Sequence, residues 1–154
     1  KANGVQLHFV GDRQRLSDKF KAGLDQAEQA TADNQRLILN VCFNYGGRWD
    51  VVQAARRLAQ AGREITEQSM SEVTALSHVG DPDLLIRTGG ELRISNFLLW
   101  QSAYTELYFT DCLWPEFDAA ELDKALTDFA GRQRRFGQTA EQSAAVAAPE
   151  QRHA

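Results

Sequence analysis

The chain has 154 residues, of which 43% are apolar, and a formal net charge of −4. This length and composition predict one hydrophobic core, and therefore one domain or part of one. The negative charge argues against general binding of nucleic acid or of an anionic membrane, because both require an excess of basic residues. Since no run of about 18 apolar residues occurs, we expect no transmembrane segment.

The cysteines and the two ends of the chain bear on its location. Cys42 and Cys112 stand in apolar surroundings, which is typical of buried thiols in a reducing compartment. No signal peptide is recognisable, and a chain that begins at Lys1 without methionine can lack its own beginning. We expect a cytoplasmic protein, and we expect the tail over residues 138–154, rich in Ala, Gln and Glu, to be disordered.

Strands and helices alternate in the first third of the chain. Apolar and polar residues alternate over Val5–Phe9, which predicts a strand with one face on a core. Ser17 is a suitable N-cap for an amphipathic helix that continues through Gln29. The nearly continuous apolar run Leu37–Phe43 predicts a central parallel strand that is covered on both faces.

A glycine-containing turn, Asn44-Tyr45-Gly46-Gly47-Arg48, follows this strand directly. Trp49 and Asp50 open the next helix, which Gly62 closes. Taken alone, the glycine pair fits a tight turn better than a ligand site. A second turn of this kind follows a later buried strand, and ligands of open α/β sheets bind at the carboxyl ends of strands. The pair of turns therefore favours one shared site.

The second turn follows the apolar strand Leu84–Ile86 and carries two arginines. Arg87 and Arg93 lie six positions apart across two glycines, and each guanidinium can chelate phosphate oxygens. Ser95 and Asn96 suit the start of a helix, whose free N–H groups and positive dipole end attract an anion. These features predict a cradle for a diphosphate.

A single carboxylate follows this cradle at Glu106, before the apolar stretch Leu107–Phe109 that predicts another core strand. A carboxylate near a diphosphate repels it unless a divalent cation lies between them, and Mg²⁺ suits both kinds of oxygen. Asp118 resembles the N-cap of a last helix, whose basic end at Gly131–Gly137 is by itself typical of a favourable helix dipole interaction. The order of elements predicts an α/β fold with a mainly parallel central sheet flanked by helices.

Two blocks of the chain resemble the cis-prenyltransferase family, and within it the bacterial enzymes that make undecaprenyl diphosphate. The longer block reads DPDLLIRTGGELRISNFLLWQSAYTELYFTD and begins at Asp81, and the shorter one is Asn44–Arg48. The resemblance extends over residues 3–137. It implies a homodimer with a hydrophobic tunnel that holds a growing polyprenyl chain. The implied reaction adds isopentenyl diphosphate repeatedly to farnesyl diphosphate in cis geometry, giving the lipid carrier diphosphate used for cell-wall polymers.

The resemblance also implies roles for individual residues. Arg87, Arg93 and Ser95 match positions that hold the diphosphate of isopentenyl diphosphate, and Glu106 matches the catalytic carboxylate that is associated with Mg²⁺. Asn44 and Arg48 match site positions without a defined step. The segment Arg135-Phe136-Gly137 matches a motif in which the arginine and Gly137 reach the diphosphate site of the other subunit.

The chain departs from the family pattern in two respects. Leu92 stands where some bacterial members carry a histidine close to the metal, and leucine cannot ligate. The family begins with an Asp-Gly-Asn-Gly-Arg-Trp block whose aspartate is central to catalysis, and this chain contains no such segment. We therefore expect residues 1–137 to be the carboxyl-terminal portion of one cis-prenyltransferase domain. The product is a membrane lipid, so a peripheral position at the membrane is compatible with the cytoplasmic location.

Two alternatives to a catalytic cis-prenyltransferase stay open. The chain can be a non-catalytic partner subunit, which supplies the Arg135-Phe136-Gly137 segment and lacks the aspartate block by nature. It can also be an unrelated α/β module that binds a nucleotide or another phosphate ligand. Residues before Lys1 that contain the aspartate would exclude the first alternative, and preference for isopentenyl diphosphate over a nucleotide would exclude the second.

Overall fold

The computed structural model describes residues 3–132. The chain divides into two compact units. The first unit runs up to Asp81 and also includes Ser95–Gln101, whereas the second contains Pro82–Ile94 and the residues from Ser102 onward. The predicted tail over 138–154 and the predicted site residues Arg135 and Gly137 lie outside the described residues.

Two parallel strands and three helices make up the first unit. They are β1 (Val5–Val10), α1 (Asp18–Thr31), β2 (Leu37–Cys42), α2 (Gly47–Gln60) and α3 (Glu67–Val73). β1 and β2 pair in parallel, with Val5 opposite Leu37 and Val10 opposite Cys42. The predicted strands, helices and parallel pairing of this part of the chain are confirmed.

Local side-chain bonds fix where these helices begin. The Ser17 hydroxyl accepts a hydrogen bond from the N–H of Phe20, so it caps α1 as predicted. α3 begins with a capping box, in which Thr66 and Ser69 each accept a hydrogen bond from the N–H of the other. Gly62 follows α2 with a φ of 63°, a left-handed conformation that glycine adopts without strain.

The core of the first unit lies largely between α2 and α3. Ala54 and Leu58 are 0% and 1% exposed and form one apolar cluster with Met70. A second cluster contains Val10 and Leu98. The buried face of α2 therefore follows the helical spacing that its sequence predicts.

The predicted cover on both faces of β2 is wrong for the described residues. Leu37, Ile38 and Leu39 are 56%, 42% and 45% exposed. Within residues 3–132, β2 pairs with β1 alone, so it is an edge strand in a sheet of two. A nearly continuous apolar strand is typical of a strand with both faces covered, but the apolar side chains of β2 are exposed here.

The second unit contains β3 (Leu84–Arg87), β4 (Glu106–Phe109), a 3₁₀ helix (Trp114–Glu116) and α4 (Ala119–Ala130). β3 and β4 pair in parallel, with Leu84 opposite Glu106. Asp118 caps α4, because its Oδ1 accepts hydrogen bonds from the N–H groups of Ala120 and Glu121.

The α/β class and the parallel pairing are thus confirmed. The four described strands are paired as two sheets of two, one in each unit. In the part of the chain that the structure describes, we find no helix with both the length and the apolar content needed to cross a bilayer.

Candidate functional site

The turn Asn44–Arg48 connects the carboxyl end of β2 to the start of α2. Asn44 adopts a left-handed conformation with a φ of 47°, and its side-chain amide donates a hydrogen bond of 2.9 Å to the carbonyl of Asp12. Gly46 is the N-cap of α2 and contributes no side-chain bond. The predicted order of strand, glycine turn and helix start is therefore present.

The two glycines of this turn make room for another segment of the first unit. A Cβ on Gly46 would lie 2.8 Å from Nδ2 of Asn96, and one on Gly47 would lie 2.6 Å from Cγ of Leu99. Gly46 has an ordinary extended φ of −153°, so backbone freedom does not explain it. Close approach of the segment Ser95–Gln101 accounts for both glycines.

The predicted helix start at Ser95 is wrong. Residues 95–104 form turns and bends rather than a helix. Ser95, Asn96 and Leu98 have φ values of 47°, 62° and 45°, and left-handed residues cannot continue a right-handed helix. Ser95 therefore stands in a left-handed turn, with no helix dipole behind it. The first unit contains three predicted site residues, which are Asn44, Arg48 and Ser95.

Asp50 is a buried carboxylate whose contacts the sequence interpretation missed. Its carboxylate is 1% exposed and accepts hydrogen bonds from the Tyr45 hydroxyl at 2.8 Å, the Gln101 side-chain amide at 2.9 Å and the Ala75 N–H at 2.9 Å. Burial and the bond to Asp50 raise the pKa of Tyr45. The sequence does contain a signal for this burial. Asp50 lies four residues before Ala54, so the two residues share the buried face of α2.

The predicted pair of arginines lies in the second unit, on the loop that follows β3. The guanidinium of Arg87 donates a hydrogen bond to the carbonyl oxygen of Arg93, and the guanidinium of Arg93 pairs with Glu91. Gly89 and Gly90 have φ values of 86° and 73°, which explains why glycine stands there. The side chain of Arg87 therefore contacts the backbone of Arg93, and the predicted diphosphate cradle stays a prediction.

Glu106 is the first residue of β4 and accepts a hydrogen bond of 3.0 Å from Nη1 of Arg132. Arg132 also donates to the carbonyl of Leu107 and pairs with Asp128. Hydrogen bonds to Glu106 and Asp128 raise the pKa of Arg132. The sequence interpretation treated this arginine only as part of a basic helix end, because the contact joins residues 26 positions apart.

A complete metal site is not formed by the described residues alone. No group of three or more His, Cys, Asp or Glu side chains in residues 3–132 is arranged to hold a metal ion. Glu106 offers a single carboxylate there. This fits Mg²⁺ only where substrate phosphate oxygens and water supply the other ligands, an arrangement that Mg²⁺ commonly adopts.

One cavity of the first unit lies apart from these residues. It has a volume of about 470 Å³, and its lining includes His8, Glu28, Arg57 and His78. Asn44, Arg48 and Ser95 do not line it. Its location does not coincide with the predicted diphosphate cradle.

Comparison with known protein families identifies the family of the chain. Residues 1–137 match a family of prenyltransferases described as "Putative undecaprenyl diphosphate synthase". The chain belongs to this family. An isoprenyl transferase of Neisseria meningitidis is 51% identical to this prenyltransferase chain over 141 residues, which cover 91% of the chain and 57% of the relative.

A second relative has a more specific name. A "Ditrans,polycis-undecaprenyl-diphosphate synthase ((2E,6E)-farnesyl-diphosphate specific)" of Pseudomonas aeruginosa is 53% identical, and the match covers 96% of this prenyltransferase chain and 61% of the relative. The chain thus spans about three fifths of the length of these curated relatives.

Solved structures share the fold. The crystal structure of a probable undecaprenyl diphosphate synthase from Campylobacter jejuni matches with a TM-score of 0.84 and 34% identity, over 89% of this chain and 65% of the other. Lavandulyl diphosphate synthase from Lavandula x intermedia, solved with dimethylallyl diphosphate, matches with a TM-score of 0.80 and 36% identity, over 87% and 61% of the two chains.

Proposed function

We propose that the protein is a cis-prenyltransferase that condenses isopentenyl diphosphate units onto farnesyl diphosphate and makes undecaprenyl diphosphate. The observation that carries this proposal is the loop after β3, on which Arg87 bonds to the backbone of Arg93, in a chain of the prenyltransferase family. The name of the Pseudomonas aeruginosa relative supports both the product and the farnesyl substrate.

The proposed roles follow from charge and position. Arg87 and Arg93 carry the two guanidinium groups that can chelate a diphosphate, and the Ser95 hydroxyl can donate a further hydrogen bond to it. Asn44 on the turn before α2 and Arg48 in the first turn of α2 are further proposed binding residues. The cations hold isopentenyl diphosphate so that its double bond attacks the allylic carbon, from which the diphosphate of the other substrate departs, and a proton is then lost.

Mg²⁺ is the proposed cofactor, with Glu106 as its protein ligand and as the catalytic carboxylate. When bound, the ion neutralises diphosphate charge and so favours its departure as a leaving group. Arg132 already balances the charge of Glu106, so the two cations would share one carboxylate. Leu92 is 79% exposed and offers no ligand atom, which leaves water to fill any position beside it.

The proposed assembly is a homodimer with a hydrophobic tunnel for the growing chain. In it, Arg135 and Gly137 reach the diphosphate site of the partner subunit. Residues 1–137 would form the carboxyl-terminal portion of one domain, and residues 138–154 a tail. The proposed location is the cytoplasm, with peripheral contact to the membrane that receives the lipid product.

Incubation with Mg²⁺, farnesyl diphosphate and labelled isopentenyl diphosphate tests the activity, with the extracted lipids then sized. We expect a ladder that ends at a long cis chain and that EDTA abolishes. A sample that mass spectrometry shows to be full length and that makes no product would defeat the catalytic proposal and favour a partner subunit.

Arg93→Ala tests the binding site itself. Loss of a charged hydrogen-bond donor should raise the KM for isopentenyl diphosphate by roughly 10- to 100-fold. Arg63→Ala is the matched control, because Arg63 is also exposed and paired with a glutamate, Glu72. An unchanged KM in Arg93→Ala would remove Arg93 from the site.

A further inference from the structure

The start of α2 lacks a capping side chain of its own. Gly46 occupies the N-cap position, so it offers no side-chain acceptor to the first N–H groups of the helix. The first N–H groups of any helix have no partner within the helix, and leaving them unpaired in a folded protein is costly. Gly47 is buried, so water is a poor substitute for a protein acceptor at this position.

Asn96 supplies the missing acceptors from a distant part of the sequence. Its backbone carbonyl accepts a hydrogen bond of 2.7 Å from the N–H of Gly47. Its side-chain Oδ1 accepts one of 2.9 Å from the N–H of Arg48, 48 positions away. One residue therefore caps α2 twice, and both bonds end on the turn that carries Arg48.

These bonds also fix the conformation beside Ser95. Ser95 and Asn96 are both left-handed, which costs energy for residues other than glycine and persists only where surrounding contacts hold it. At the other end of the same segment, Gln101 donates to the buried carboxylate of Asp50 in the first turns of α2. The segment Ser95–Gln101 is thus tied to α2 at both ends.

We infer that Asn96 is a positioning residue, which holds the Ser95 backbone and the Arg48 turn in one arrangement. Asn96 acts through these neighbours, and its side-chain oxygen is committed to the N–H of Arg48. The inference rests on the proposed function, because it assigns Asn96 to the geometry of the isopentenyl diphosphate site. Its loss should weaken binding of that substrate and leave the allylic substrate unaffected.

Two substitutions separate the side-chain bond from the backbone conformation. Asn96→Gly removes Oδ1 and keeps a residue that accepts a φ of 62°, whereas Asn96→Ala removes Oδ1 and also resists that φ. Asn34→Ala is the matched control, since Asn34 makes a comparable bond of 2.7 Å to the carbonyl of Val5 at the start of β1. All variants are made in the full-length protein.

Steady-state kinetics and amide hydrogen exchange are then measured on the same samples. We expect Asn96→Gly to raise the KM for isopentenyl diphosphate about tenfold, with the KM for farnesyl diphosphate and kcat within about twofold of wild type. The amide of Arg48 should exchange faster in Asn96→Gly and stay protected in Asn34→Ala. The kinetic effect in Asn96→Ala should be at least as large.

The outcomes distinguish this inference from the proposed function. Faster exchange at Arg48 with an unchanged KM for isopentenyl diphosphate would overturn the positioning role, and unchanged exchange at Arg48 would overturn the cap itself. A wild-type protein without affinity for isopentenyl diphosphate would refute the proposed function. The exchange data would in that case still report whether Asn96 caps α2.

Discussion

The carboxylate that we propose as a magnesium ligand already has a cation beside it. Arg132 contacts Glu106 at 3.0 Å, and their side chains are 31% and 28% exposed. A partly exposed pair of this kind contributes little to stability, on the order of 1 kcal/mol or less. Its chemical consequence would be larger, because the guanidinium and a bound Mg²⁺ would compete for the same negative charge.

Arg132→Gln should therefore lower the Mg²⁺ concentration that gives half-maximal activity, by roughly two- to fivefold, and change the unfolding free energy by about 1 kcal/mol or less. Titration of activity with Mg²⁺ measures the first effect and urea unfolding the second. Arg63→Gln, which breaks the exposed pair with Glu72, is the control and should leave the Mg²⁺ requirement unchanged. A higher Mg²⁺ requirement in Arg132→Gln would contradict competition.

We expect a histidine pair to make the first unit sensitive to acid. The rings of His8 and His78 lie 4.6 Å apart, and Nε2 of His78 lies 2.8 Å from Oδ1 of Asn40. Burial, and then the positive charge of His8, lower the pKa of His78 below 6.5. As the pH falls, His78 is therefore protonated in the unfolded chain before it is protonated in the folded protein. The contribution of neutral His78 to stability is present above about pH 6.5 and is lost as the pH falls through the folded pKa.

His78→Gln should remove part of this acid sensitivity while it keeps a donor for Asn40. Urea unfolding at about pH 7.5 and about pH 5 measures the loss of stability in each protein. We expect the wild type to lose more than the variant over this interval. Equal losses would show that His78 does not contribute to the pH dependence.

At the scale of elements, the start of α2 depends on a glycine. A Cβ on Gly47 would lie 2.6 Å from Cγ and 2.8 Å from the backbone nitrogen of Leu99. The backbone atom cannot yield as a flexible side chain can, so the neighbouring segment would have to move. Gly23 in α1 is the opposite case, because an added Cβ would meet nothing within 4 Å.

Gly47→Ala should therefore destabilise the protein by about 1–3 kcal/mol, as overpacking of a filled site does. Gly23→Ala should stabilise it by about 0.5–1 kcal/mol, because alanine loses less conformational entropy in a helix. Urea unfolding of the two variants measures both changes in the free energy of unfolding. A neutral Gly47→Ala would mean that Ser95–Gln101 does not pack against α2 in solution.

At the scale of the whole molecule, exposed apolar strand surface is the main feature. Leu39 and Val41 of β2 are 45% and 38% exposed, and β2 pairs with β1 alone among the described residues. An exposed apolar edge strand tends to pair with other chains. The chain spans about three fifths of the length of these curated relatives.

The 154-residue chain by itself should associate as its concentration rises. The double variant Leu39→Thr with Val41→Thr should reduce this association, because threonine keeps strand propensity and lowers apolar area. Val52→Thr is the control, as Val52 is 47% exposed on α2 and away from a strand edge. Light scattering over a concentration series measures the mass, and equal association in all three proteins would contradict a role for β2.

The sequence by itself determined the features that depend on neighbours a few residues apart. The caps at Ser17 and Asp118, the apolar strands and the glycine turns all follow from local spacing. The two motif blocks indicated the family, which the match over residues 1–137 confirmed. The roles proposed for Ser95, Glu106 and the other site residues stay predictions.

Only the tertiary structure decided the contacts between distant parts of the chain. Asn96 caps α2 across 48 positions, Gln101 reaches Asp50 across 51, and Arg132 reaches Glu106 across 26. These contacts replaced the predicted helix at Ser95 with a left-handed turn and gave the glycines at the start of α2 a packing role. Local patterns do not encode such contacts, because they depend on the path of the whole chain and on which groups it leaves without a local partner.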